Sequence, residues 1–315
     1  MTQTGPQDGS DPLRVALVPE PADWAAAAVT DGGGQVVAVD AGAQALVWTA
    51  PGRCDGLGEA LASAPDAGWV QLPFAGIEGV DRDLLDPART WTCAKGVYAE
   101  PVAEHALALA LAGMRDLAAR ARATGWGRQS ARTLYDAPVV VLGGGGITEA
   151  LIGLLAPFRA QVTVVRRDAS RPVAGAARTV GTDCLDEVLP GARLVVLALA
   201  LTPETEGVLD ARRLRLPGPD AVLVNVARGR HVDTDALVAA LRDGALGAAG
   251  LDVTDPEPLP DGHPLWTLPG ALVTPHTANP WSTAQPLLAA RLADNVRRRS
   301  AGRELLGLVD VAAGY

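Results

Sequence analysis

Val139-Val140-Val141-Leu142-Gly143-Gly144-Gly145-Gly146-Ile147 runs directly into the helix-compatible stretch Thr148 to Leu155. A short apolar run closed by glycines reads as a buried strand, and strand, glycine turn, helix is the context of a dinucleotide site. Gly143 and Gly145 occupy the first two positions of the glycine pattern, where they permit a tight turn and close approach of a pyrophosphate to the helix N-terminus. With Gly146 and Ile147 they form the expected cofactor-binding turn. The third position, where glycine lets helix and strand pack closely, holds Thr148. Its β-branched side chain is expected to push the helix slightly outward or to shift the phosphates. Taken alone, the glycines fit equally well a flexible turn in any α/β protein.

Roughly 20 residues farther on, an NAD site ends its second strand in Asp or Glu, which holds the ribose hydroxyls. This chain offers Val165-Arg166-Arg167-Asp168 instead. A guanidinium cannot accept from ribose hydroxyls but can grip a 2′-phosphate. The expectation is therefore NADP, preferred over NAD, with Arg166 and Arg167 as its ligands. The competing reading is a solvated basic turn in which Asp168 is the local partner.

Outward from the turn, the same alternation continues. Strands are expected at Gln161 to Val165, Leu194 to Leu199, Ala221 to Asn225, Ala248 to Asp252 and Ala271 to Thr274. Upstream, Arg14 to Val18 reads as a strand, followed by a helix around Trp24 to Thr30. Further strands are expected at Gln35 to Val39, Ala45 to Thr49, Trp69 to Leu72 and Thr90 to Ala94. Such alternation implies α/β architecture with parallel sheets. A long Ala/Leu helix is expected from Pro101 to about Ala123, apolar over much of its girth. Another runs from Trp281 to about Arg299, with a tail that can return to the first domain.

The chain has 315 residues, 48% hydrophobic and 20% charged, which suits two globular domains. A formal charge of −9 with no basic block argues against nucleic acid or an anionic membrane as partner. No apolar run approaches the roughly 20 residues of a membrane span. Met1 to Pro12 is polar and expected to fray, and it lacks the basic and apolar regions of a signal peptide. Cys54, Cys93 and Cys184 form no disulfide or zinc spacing, so no metal is expected and a cytoplasmic setting is.

The chemistry is concentrated in the last third. Asn225-Val226-Ala227-Arg228-Gly229-Arg230, Leu251-Asp252-Val253-Thr254-Asp255-Pro256-Glu257-Pro258 and Thr274-Pro275-His276-Thr277 each follow an apolar run. Each presents a polar side chain: Arg228, Glu257 or His276. Carbonyl reduction needs such a set. A cation holds and polarises the substrate, an imidazole supplies a proton, and a carboxylate orients the imidazole and favours its charged form. Singly, each has an equally good structural explanation: an ion-pair partner, a loop carboxylate beside prolines, a hydrogen-bonded strand end. Three in register make that explanation weak. Of the other histidines, His105 is expected in a core or interface, His231 at the surface, and His263 in a loop. Trp69, Trp91 and Trp266 are expected in the core, and Lys95 as a solvated hinge residue.

These motifs, with His263-Pro264-Leu265-Trp266, Thr202-Pro203-Glu204-Thr205 and Val102-Ala103-Glu104-His105, closely resemble the D-isomer-specific 2-hydroxyacid dehydrogenases, including glyoxylate/hydroxypyruvate reductases and phosphoglycerate dehydrogenases. The resemblance covers most of residues 90–280 and weakens before residue 70. It implies a Rossmann-like cofactor domain at 101–280, inserted into a flavodoxin-like substrate domain made of 1–100 and 281–315. It further implies a cleft that closes on a small 2-oxo acid, and a homodimer. By motif, Arg228 would bind the oxo acid, His276 would be the acid/base and Glu257 its partner. Asp252 and Ala227 would lie at the cofactor. Phe74-Ala75-Gly76-Ile77 looks like the family's substrate-carboxylate loop, with Ala75, Gly76 and Ile77 offering backbone N–H groups. An alternative on the same fold is a dinucleotide-sensing, corepressor-like scaffold without turnover.

Overall fold

The computed structural model describes residues 11–127, 129 and 131–311. The expectation for the opening residues, apart from Asp11 and Pro12, lies outside that range. Two compact units are present: one runs to Val97 and resumes at Trp281, and the other is Tyr98–Pro280.

The first unit holds five parallel strands, β1 (Arg14–Val18), β2 (Gln35–Val36), β3 (Ala45–Trp48), β4 (Trp69–Gln71) and β5 (Thr90–Thr92), in the order 2-1-3-4-5. That is the flavodoxin-like order. Successive side chains on a strand face opposite sides. Val15, Leu17, Ala45, Val47 and Trp69 therefore pack under helices α1 (Asp23–Asp31) and α8 (Trp281–Ser300), meeting Val29, Leu292 and Val296. Ala16, Val18, Leu46, Trp48, Val70 and Trp91 face the other way, toward Leu57 and Leu61 of α2 (Leu57–Ser63). The tail does return. Val309 N–H donates to Trp91 O at 3.0 Å and Cys93 N–H to Gly307 O at 2.8 Å, extending the β5 edge.

The second unit has seven parallel strands: β6 (Pro138–Leu142), β7 (Gln161–Val165), β8 (Arg178–Val180), β9 (Leu194–Leu197), β10 (Val222–Asn225), β11 (Ala248–Leu251) and β12 (Ala271–Val273). Their order is β12-β11-β10-β9-β6-β7-β8. Counted from β6, this is the 3-2-1-4-5-6 arrangement of dinucleotide folds with one more strand at the far edge. Order reverses between β6 and β9, and ligands of such sheets bind beyond the strands' carboxyl ends at that point.

Helices α3 (Ala99–Met114) and α5 (Gly146–Leu155) cover one face through Ala106, Leu109, Leu151 and Leu155, packed on Val139, Val141, Val196 and Val224. Helices α6 (Leu185–Val188) and α7 (Thr234–Arg242) lie on the other face with Leu185, Leu237 and Val238.

The expected helix from Pro101 to Ala123 is broken. It stops at Met114, and α4 (Leu117–Ala121) starts after Asp116 turns left-handed at φ +53°. Arg132 explains the stop: its guanidinium donates to Gly113 O at 2.9 Å and pairs with the Asp116 carboxylate. It thus occupies a carbonyl at the helix end and fixes the reversing residue. Strand β8 was not expected, because Arg178-Thr179-Val180 is too short and too polar to stand out. Trp69 and Trp91 are core residues, whereas Trp266 is 37% exposed and donates its indole N–H to Pro260 O. No helix among the described residues is long and apolar enough to cross a membrane.

Candidate active site

Every chemistry-bearing segment of the second unit leaves the carboxyl end of a strand. The turn after β6 carries Gly143 at φ +105°, a conformation L side chains rarely adopt. A Cβ there would lie 2.2 Å from Ala198 O, so only glycine lets this turn pass the end of β9. At Gly145 a Cβ would meet nothing within 4 Å, and α5 begins at Gly146. Nothing in the protein itself thus requires glycine at 145, and first-turn amides beside open space suit a phosphate. Gly146 and Ile147 open this helix.

Thr148, at the third position of the glycine pattern, lies in the first turn of α5. It is fully buried, and its hydroxyl donates to Gly143 O at 2.9 Å, tying the helix back onto the turn.

Arg166 and Arg167 follow β7. Arg166 lies beside Gly144 and donates to Arg171 O at 3.0 Å. Asp168 accepts from the Ser170 hydroxyl and amide, which, with the charges of Arg166 and Arg171, hold its carboxyl below the usual range. The Thr202 hydroxyl and the backbone amide of Glu204 hold the Glu204 carboxyl low, and the charge of Arg167 acts in the same direction. Arg167 is therefore near the Thr202–Thr205 turn after β9.

After β10 the chain folds around Asn225, which is buried. Its side-chain oxygen accepts from Ala227 N–H at 3.0 Å, and its amide donates to Arg228 O at 2.9 Å. The Arg228 guanidinium donates to Ala227 O at 2.7 Å. His231, expected at the surface, is fully buried behind this turn. Its Nδ1 lies 3.2 Å from the Arg228 amide nitrogen and 3.0 Å from Arg228 O, and its Nε2 3.3 Å from Ala200 O. A carbonyl can only accept, so the ring directs a proton at Arg228 O or at Ala200 O. The sequence signal was available in Gly229-Arg230-His231-Val232, where an imidazole stands beside the turn it closes.

Gly229 joins this turn to the next one. A Cβ at 229 would sit 1.9 Å from Thr254 O, so the Arg228 and Glu257 segments run backbone against backbone. Thr234 Oγ1 adds a bond to Asp255 O at 2.7 Å. Thr254 N–H reaches Glu257 Oε2 at 3.4 Å, while Glu257 Oε1 is 2.7 Å from His276 Nδ1. Imidazole and carboxylate are each about half exposed. With Nδ1 committed to Glu257, Nε2 is the nitrogen left to exchange a proton with a ligand.

His276 itself is left-handed, at φ +50°. Asp252, 2% exposed, accounts for that turn. Its backbone carbonyl accepts from His276 N–H at 2.8 Å, and its carboxylate accepts from Thr277 N–H at 2.8 Å and Ala278 N–H at 2.9 Å. Thr274 Oγ1 donates to it at 2.6 Å. His105 is not simply core: its Nε2 approaches Thr274 Oγ1 at 2.9 Å and Asp252 Oδ1 at 3.3 Å.

Within the first unit, β4 leads into the segment Phe74 to Ile77. Phe74 O accepts from Ala94 N–H at 2.8 Å and Ala75 O from the Cys93 thiol at 3.4 Å. Ile77 is buried in the core, while Ala75 is exposed and Gly76 half-buried. Buried Gln71 and Asn295 brace the segment from behind: Asn295 Nδ2 donates to Gln71 Oε1 at 3.0 Å, and Gln71 Nε2 to Leu72 O at 2.8 Å. Lys95 is exposed, its carbonyl accepting from Arg291. His263 caps the short turn before Trp266, accepting from Leu265 N–H.

Residues 105–278 match the model of the D-isomer specific 2-hydroxyacid dehydrogenase NAD binding domain. D-3-phosphoglycerate dehydrogenase of Mycobacterium leprae is 34% identical over 269 residues, 81% of this chain and 49% of that one. Glyoxylate/hydroxypyruvate reductase A of Yersinia enterocolitica is 34% identical over 175 residues, 56% of this chain and 55% of that one. The matched chain thus spans about half the length of these curated relatives. A D-isomer specific 2-hydroxyacid dehydrogenase from Xanthobacter autotrophicus, solved with NADPH and MES, superposes with a TM-score of 0.81 at 30% identity, covering 97% of this chain and all of that one.

Proposed function

The chain belongs to the D-isomer specific 2-hydroxyacid dehydrogenase family of NAD(P)-dependent oxidoreductases, and on that footing we propose that it reduces a small 2-oxo acid to the D-2-hydroxy acid. The observation that carries the reading is the 2.7 Å pair of His276 Nδ1 and Glu257 Oε1, beyond the carboxyl edge of a dinucleotide-fold sheet.

The glycine turn and α5 fit a dinucleotide pyrophosphate, for the reasons of space and φ given above, and Ala227 and Asp252 stand at adjacent strand ends. When bound, the nicotinamide supplies the hydride that reduces the carbonyl carbon. The protein's task is to hold and protonate the substrate. Arg228 takes the acid's carboxylate and carbonyl oxygen, a bidentate role suited to a planar guanidinium. Backbone N–H groups at Ala75, Gly76 and Ile77 bind the carboxylate. His276 Nε2 gives its proton to the forming alkoxide, and Glu257 holds the ring in place through Nδ1.

Arg166 and Arg167 select NADPH over NADH, because their charge complements a 2′-phosphate. The solved relative's NADPH supports the same choice. Changing both to Asp-Ser is expected to raise KM for NADPH by about tenfold or more while NADH is held or improved, since one lost charge-assisted contact is worth ~1.5–3 kcal/mol. Initial rates with both cofactors across a panel of 2-oxo acids test this. Equal effects on the two cofactors would remove the assignment. The same panel separates the enzyme from a non-catalytic sensor, which would bind NADPH and turn over none of the acids. A homodimer in the cytoplasm completes the proposal, supported by family membership.

A further inference from the structure

We propose that His105 is a positioning residue for the acid/base turn, acting on His276 through Thr274 and Asp252; the inference rests on the function proposed above. The direction of each hydrogen bond follows from the atoms. Thr274 has one hydroxyl proton, and at 2.6 Å from Asp252 Oδ1 it donates to that carboxylate. The 2.9 Å contact with His105 Nε2 is then one in which nitrogen donates and the hydroxyl accepts. His105 therefore carries its proton on Nε2 whether the ring is neutral or charged. A one-way chain runs His105 Nε2–H to Thr274 Oγ1–H to Asp252 Oδ1.

What the chain orients is the carboxylate that builds the His276 turn. Asp252 binds the amides of Thr277 and Ala278, and its carbonyl binds the amide of His276. These bonds hold a non-glycine residue at φ +50°, a conformation that relaxes unless its surroundings over-determine it. Asp252 is almost wholly buried, and the ring of His105 at 3.3 Å is an ionisable partner for it. His105 is anchored in turn: its neighbours on α3, Ala103 and Ala106, are fully buried against the sheet. A rigid helix thus sets, through one hydroxyl and one carboxylate, where the imidazole of His276 stands relative to Glu257.

The chain has four histidines, so the full-length protein labelled with 15N-histidine gives a spectrum simple enough to assign. His105→Leu removes the donor at similar bulk, and His105→Gln keeps an N–H near the ε position. The Leu variant is expected to lose about tenfold or more in kcat with KM for NADPH within about threefold, and the Gln variant to recover most of the loss. The ring-nitrogen resonances of His276 should shift in the Leu variant and hold in the Gln variant. A Leu variant with the wild-type Tm, kcat and His276 resonances overturns the proposal, and so does a Gln variant as impaired as Leu. Should the Leu variant not fold, the wild-type spectrum decides, because an Nδ1–H tautomer at His105 is incompatible with the chain. Failure of the wild type to reduce any 2-oxo acid would instead remove the functional reading and leave the resonance arm to judge His105.

Discussion

Replacing His276 with Ala is expected to lower turnover by ~10²–10⁴-fold, the contribution typical of a positioned general acid, while NADPH affinity stays within about twofold. The asymmetry follows from where the side chain stands. His276 is half exposed, so truncating it opens no core cavity, and the turn that carries it is built by Asp252 from backbone amides. The cofactor turn at Gly143–Gly146 lies on a different strand end. Stopped-flow kinetics and equilibrium titration of NADPH fluorescence measure the two effects separately. A variant that loses NADPH binding in proportion to kcat would mean that His276 is structural. Changing Glu257 to Gln tests the same pair from its other side: an amide oxygen still accepts from Nδ1–H but without the charge assistance of a carboxylate, so kcat should fall by less than in the His276→Ala variant.

Gly229→Ala carries the second large effect, on stability and activity together. Its Cβ would be placed 1.9 Å from Thr254 O and 2.5 Å from Asp255 N, both backbone atoms that no side-chain rotation can clear. One loop must move from the other. The first holds Arg228 and the second holds Glu257, so the shift separates the substrate cation from the acid/base pair. Overpacking against backbone costs about 3 kcal/mol. For a unit of this size that lowers Tm by roughly 6–12 °C, with kcat/KM falling by more than 10²-fold because two groups are displaced together. Thermal unfolding and steady-state kinetics on the one variant check both halves. Wild-type Tm and rate would show that the loops are not in register through this residue.

Much of the fold was legible because its strands are apolar and its turns carry glycines. Val139 to Leu142 alternates between two packed layers, and Gly143 marks a place where the chain must pass a neighbouring strand end without a side chain. The site was legible as residue types at strand ends, Arg228, Glu257 and His276. What was not legible is who holds whom. An exposed-looking His231 is buried because its two ring nitrogens meet the Arg228 backbone on one side and Ala200 O on the other. Thr148 looked obstructive because its size is visible in the sequence and its bond to Gly143 O is not. The break at Asp116 depends on Arg132, sixteen residues away, and local helix propensity contains nothing of that distance.

A bound nicotinamide would supply hydride to the carbonyl carbon of a 2-oxo acid, and His276 would protonate the oxygen. Incubating the protein with hydroxypyruvate or glyoxylate and NADPH deuterated at C4 tests it most directly, by mass and chiral analysis of the product. The expected product is a 2-hydroxy acid with one deuterium on C2, of D configuration where that carbon is chiral, transferred from a single face of the nicotinamide. NADPH that binds yet leaves every 2-oxo acid unlabelled and unreduced would contradict it.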